Sequence, residues 1–149
     1  MNRTSLSTHG VRWLMGLSFG LVAWQGAGAQ TFKMPCQVEG VIPALDDRKI
    51  PPEKIEVEIQ SMGKNIFLKV NGSKLYQVQA SSLTTDDFAG KNLTSSKQLG
   101  AVRKHQLTGF VSEVRIERET VTLYAYHDIV YRGKNVRLQF EGPCTLPAQ

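Results

Sequence analysis

TVTLYAYHDIVYRGKNVRLQFEGPC, residues 120–144, is the stretch that decides the fold. Thr120 to Arg132 is dense in β-branched and aromatic residues, the side chains that fit a pleated surface. Val121, Leu123, Ala125 and Ile129 lie on one phase, and Thr122, Tyr124, Tyr126 and Val130 on the other. Apolar residues on both phases predict a central strand covered on both faces. Gly133-Lys134 then turns the chain. Asn135 to Glu141 returns with Val136, Leu138 and Phe140 alternating against Arg137 and Gln139. Gly142-Pro143 ends this ladder beside Cys144.

The same grammar extends towards the N-terminus. Ile55, Val57 and Ile59 alternate with Lys54, Glu56, Glu58 and Gln60, a period of two that describes a sheet with one wet face. Asn65–Val70 and Lys74–Ala80 flank Asn71-Gly72, which predicts a two-residue hairpin turn, since both residues tolerate positive φ. Cys36–Ile42 reads as a short first strand, and Pro43–Pro52 as a proline-bearing connection. Leu107–Ile116 is a further strand, and Glu117-Arg118-Glu119 a charged reversal. Ser81–Lys104 is long, polar and irregular, with one short helix expected to open at Thr85 and stop at Gly90. No internal repeat is legible. About seven strands with short turns predict an all-β domain, a small antiparallel sandwich or a partly open barrel.

Cys36 and Cys144 are the only cysteines. The first 29 residues have the three parts of a secretory signal: Arg3 and Arg12, a 12-residue apolar run from Trp13 to Trp24, and the small residues Ala27-Gly28-Ala29. The run falls short of the ~20 residues a membrane-spanning helix needs. A cleaved leader (1–29) and a single β domain (30–149) are therefore expected, in a periplasmic or secreted location with no transmembrane segment after cleavage. In that compartment two lone cysteines pair. A Cys36–Cys144 bridge would tie the first strand to the last, with Cα atoms about 5.5–6 Å apart. Losing Arg3 and Arg12 lowers the formal charge from +5 to +3, too little for a nucleic-acid footprint.

Ile116-Glu117-Arg118-Glu119-Thr120-Val121-Thr122-Leu123 and Gly142-Pro143-Cys144 resemble the I-D-R-x-T-G-x-L and closing G-x-C of small exported bacterial β proteins without an assigned activity. Glu117 and Val121 depart from that pattern. The resemblance implies a periplasmic β domain and carries no activity with it.

Catalytic signatures are missing from the sequence. It has no phosphate cradle, G-x-S-x-G elbow, H-E-x-x-H helix or calcium-loop spacing, so neither cofactor nor metal is expected. His127 and Asp128 are neighbours on a strand and so face opposite sides of the sheet, which denies them a dyad. His105 reads as a solvated strand entry. Tyr124 and Tyr126 share one phase, with Arg132 further along it and Arg137 on the next strand. A doubly covered central strand would bury both rings with their hydroxyls at the rim. An open face would instead offer rigid aromatic area beside cations, and on that condition Tyr124, Tyr126, Arg132 and Arg137 are the candidate binding surface. The reading is a secreted or periplasmic non-enzymatic binding domain that acts on another protein or an envelope component, its partner unnamed by the sequence. The alternatives are a carrier of a small apolar ligand, or a hydrolase- or inhibitor-type protein using His127.

Overall fold

The computed structural model describes residues 29–147, so nearly all of the expected leader lies outside the described residues. Nine antiparallel strands form one sheet: β1 (Gln30–Ile42), β2 (Arg48–Met62), β3 (Asn65–Asn71), β4 (Val78–Ser81), β5 (Phe88–Asn92), β6 (Gln98–His105), β7 (Val111–Glu117), β8 (Thr122–Tyr131) and β9 (Lys134–Pro143). Their order is β4-β3-β2-β1-β9-β8-β7-β6-β5. Two meanders, β1–β4 and β5–β9, are thus joined where the first strand pairs with the last. The sheet curls until β4 packs against β6 and β7, giving a nearly closed barrel. Arg103 on β6 helps hold this seam, resting on the Phe88 ring and donating to Gln79 Oε1 at 3.4 Å.

Alternation sets what lies inside. Met34, Val38, Val57, Leu68, Val70, Val114, Leu123 and Leu138 point inwards and fill the interior. Each would contribute on the order of 1.5–3 kcal/mol by burial. A single sheet wrapped around one interior leaves every strand an outer face, and β8 follows suit. Leu123, Ala125 and His127 are buried, whereas Tyr124 and Val130 are exposed. The double covering expected for this strand is therefore corrected to covering on one face.

Nine strands replace the expected seven because Ser81–Lys104 is strand, not a helix-bearing excursion. Two tight turns ten residues apart shape it, the first linking β4 to β5 and the second joining β5 to β6. Thr84 Oγ1 accepts from the Gly90 N–H and donates to the Gly90 carbonyl, both at 3.3 Å. Thr94 does the same with Gly100, again at 3.3 Å. The backbone closes inside each clamp, from Thr85 to Phe88 and from Ser95 to Gln98. Leu83-Thr84…Gly90 and Leu93-Thr94…Gly100 are thus a structural repeat hidden in a polar stretch. A threonine serving both polar groups of a glycine six residues on takes over the role a helix cap was expected to fill.

Two further boundaries differ from those expected. β2 runs straight through Pro51-Pro52, where the β1 ladder slips by one residue and β3 does not reach, so no ladder N–H is lost there. Asn71-Gly72 is not a two-residue turn: β4 begins only at Val78, and neither residue adopts positive φ. The chain instead loops over the barrel end and drops Tyr76 inside. Tyr76 packs edge-on against Phe140 at 5.2 Å and donates its hydroxyl to the Pro51 carbonyl at 2.8 Å. Gly40 makes room for it, since a Cβ there would lie 2.8 Å from that hydroxyl oxygen. Burial of a large aromatic outweighs a favourable local turn.

Cys36 and Cys144 are bonded, joining β1 to the end of β9. Their Cα atoms are 3.9 Å apart, closer than expected, because they face each other as a non-hydrogen-bonded antiparallel pair flanked by the Thr145 N–H and Pro35 carbonyl. Gly142 permits the approach: a Cβ there would stand 1.8 Å from the Gln37 carbonyl oxygen. The G-P-C ending therefore has a steric reason.

Candidate functional site

The outer face of β7, β8 and β9 carries a connected array of paired side chains. Register brings the residues together: Glu113 pairs with Tyr126, Arg115 with Tyr124, and Asp128 with Arg137. Tyr126 donates its hydroxyl to Glu113 Oε2 at 2.8 Å, while the Arg137 guanidinium lies over its ring at 4.3 Å. Arg137 also grips Asp128 with two bonds, Nε to Oδ1 at 2.7 Å and Nη2 to Oδ2 at 3.2 Å. Asp128 Oδ2 accepts in addition from the Val111 N–H at 2.9 Å. Arg115 Nε stands 2.7 Å from Glu113 Oε1, an ion pair whose N–H is not aimed at the oxygen.

These contacts decide protonation. Burial pushes the Tyr126 phenol up, and its bond to Glu113 pushes it further, so the hydroxyl stays a donor. Burial also works against ionisation of Asp128, but the bonds from Arg137 and Val111 outweigh it and hold the carboxyl below its usual range. Its partner Arg137 is pushed up chiefly by that same hydrogen bond. The result is a charge-paired ladder that immobilises the Tyr126 ring. Beside it Tyr124, 36% exposed, and Val130, 64% exposed, present unpaired apolar area to solvent.

Of the candidate surface residues, the structure brings Tyr124, Tyr126 and Arg137 together and places Arg132 elsewhere. Arg132 sits in the β8–β9 turn at φ 50°, beyond the end of the strand, with its guanidinium 5.5 Å from the Tyr131 ring. Glu113, Arg115 and Asp128 complete the array; the sequence reading names neither Glu113 nor Arg115 and treats Asp128 only as the neighbour of His127. Their signal was available in part: each lies on the outward phase of its strand, opposite a candidate residue.

His127 is far from solvent at 7% exposure. Its Nε2 is 2.8 Å from the Leu75 carbonyl, and its ring faces Phe140 edge-on at 6.2 Å. Asp128 points to the other side of the sheet, as alternation requires. His105 ends β6, where its Nδ1 accepts from the Thr108 N–H at 3.2 Å and its ring meets Phe88 edge-on. Among the described residues no group of three or more histidines, cysteines and carboxylates is placed to hold a metal. No helix of the described residues is long and apolar enough to cross a membrane.

Comparison with family models, with characterised proteins and with solved structures finds no match to this chain.

Proposed function

We propose that this chain is an exported binding module that engages an envelope protein through the outer face of β7, β8 and β9. The observation that carries the reading is the pairing of a locked ring with an open one. Tyr126 is held by Glu113 and Arg137, and Tyr124 stands free beside it. Rigid aromatic area with little rotamer entropy left to lose is the chemistry of interface anchors. The cross-strand bonds supply that rigidity before any partner arrives. A disulfide-tied domain also suits the oxidising compartment that the leader predicts.

The alternatives have less support. The barrel interior is occupied by its own side chains, which favours a binding surface over a carrier of a small apolar molecule. His127 is committed to a backbone carbonyl inside the core, where no substrate reaches it.

Photo-crosslinking tests the proposal. A benzophenone side chain at position 124, in the exported and oxidised chain, should capture one discrete envelope protein. The same probe at Lys69, on the far strands, should not. Binding of the captured protein should then weaken by about 2 kcal/mol in Tyr126→Ala, the size of an interface anchor, with the thermal midpoint tracked alongside. Equal capture from both positions, or unchanged affinity in a folded Tyr126→Ala variant, removes the proposal.

A further inference from the structure

The barrel end that carries the β1–β2 turn and the β8–β9 hairpin holds a second feature. Leu45, Arg48, Tyr131, Arg132 and Lys134 line an open cleft of about 470 Å³. Three of those five residues are cations, and among the described residues none of the three is in an ion pair. The contrast with the neighbouring face is informative, because Arg115 and Arg137 there each have a carboxylate partner. Asp46 and Asp47 lie on the adjoining turn, yet neither pairs with a cleft cation. Like charges gathered in one concavity repel unless an anion joins them.

The cleft is also organised. The Tyr131 ring has the Arg48 guanidinium at 5.7 Å and the Arg132 guanidinium at 5.5 Å, so one aromatic body orients two forks. A guanidinium resting on a ring keeps its in-plane N–H donors free for oxyanions. Arg132 is held at φ 50°, followed by Gly133 at φ 75°. Glycine, asparagine and aspartate are the residues that suit such a turn position. An arginine there accepts a conformational cost, and observed strain of this kind clusters at ligand sites.

We infer that this cleft binds a phosphate-bearing ligand with at least two negative charges. Arg48 and Arg132 supply bidentate donors to phosphate oxygens, Lys134 adds a point charge, and Leu45 offers apolar contact to the body of the ligand. The same chemistry is found in free phosphorylated molecules and in phosphorylated lipid headgroups. The inference does not depend on the tyrosine face, so failure of either leaves the other standing.

Two arms separate the sources. In one, pyrophosphate is titrated calorimetrically into the oxidised chain at low salt. In the other, the chain is sedimented with phosphatidylcholine vesicles with and without phosphatidic acid. Binding in either arm should weaken about tenfold in Arg132→Gly, as loss of one fork requires. Glycine suits φ 50°, so this variant keeps its thermal midpoint and isolates the charge. Arg48→Gln should act in the same direction, whereas Lys64→Gln, at the β2–β3 turn, should not. Pyrophosphate binding assigns a soluble ligand, and vesicle binding alone assigns a headgroup. Binding in neither arm overturns the inference, as does an equal loss in Lys64→Gln, which would reduce the effect to overall charge.

Discussion

His127 keeps its Nε2 on the Leu75 carbonyl and its ring beside Phe140, so the neutral imidazole with Nε2 protonated is the form that fits. Burial lowers its pKa, and the bond to Leu75 and the charge of Asp128 offset only part of that effect. The unfolded chain holds this proton more tightly than the folded one. Stability from His127 is therefore fully present above the unfolded value of about 6.5 and is lost as pH falls from there through the folded value. Asp128 acts lower on the scale. Its stabilisation is present above the unfolded value of about 3.9 and disappears as pH falls through the depressed folded one. Urea midpoints measured at about pH 7.5 and about pH 5 should fall, and His127→Gln should flatten that fall. A wild-type midpoint that is level across this range would show that the imidazole is not held as described. The sequence placed His127 and Asp128 on opposite faces of a strand. It did not place His127 inside, since that depends on which face the barrel turns inwards.

At the scale of elements, the link between β3 and β4 departs from the tight hairpin that Asn71-Gly72 predicts. Asn71-Gly72 offers a tight turn, yet the chain spends residues 71–77 carrying Tyr76 into the barrel end. Replacing residues 71–77 by Asn-Gly would make a better local hairpin, remove the Tyr76 ring and leave His127 Nε2 without its acceptor. Loss of a buried aromatic costs about 3–5 kcal/mol, more than an improved turn returns. Chemical denaturation should show the shortened chain to be much less stable. If it is as stable as the parent, Tyr76 is not a plug. The strands with clean alternation (β2 and β9) were legible because alternation is a local signal, and β8 was legible as a strand from its β-branched and aromatic residues but not in the face it turns inwards. Pairing of β5 and β6 was not legible. Their threonine clamps join residues six apart through side chain and backbone, and composition shows only a polar stretch.

The whole molecule is tied where its two meanders meet. Only three backbone pairs join β1 to β9, from Glu39–Glu141 to Val41–Gln139, and the Cys36–Cys144 bond continues that register. The bridge closes a span of 108 residues, worth about 4–5 kcal/mol in the chain-entropy model. For a domain whose net stability is about 5–15 kcal/mol, that is a large share. Urea unfolding of Cys36→Ala/Cys144→Ala should show a loss of this order, and an unchanged midpoint would mean that the β1–β9 seam holds without it. Alternation, turn residues and cysteine placement determined the all-β class and the tie between the ends, because each of these is set by neighbours in the chain or by a pair that has no other partner. Tertiary structure alone decided that the sheet closes around a single interior. That closure left Tyr124 in solvent, drew His127 into the core and set three cations around Tyr131. Which face of a strand becomes the inside is chosen by strands far apart in sequence when they meet.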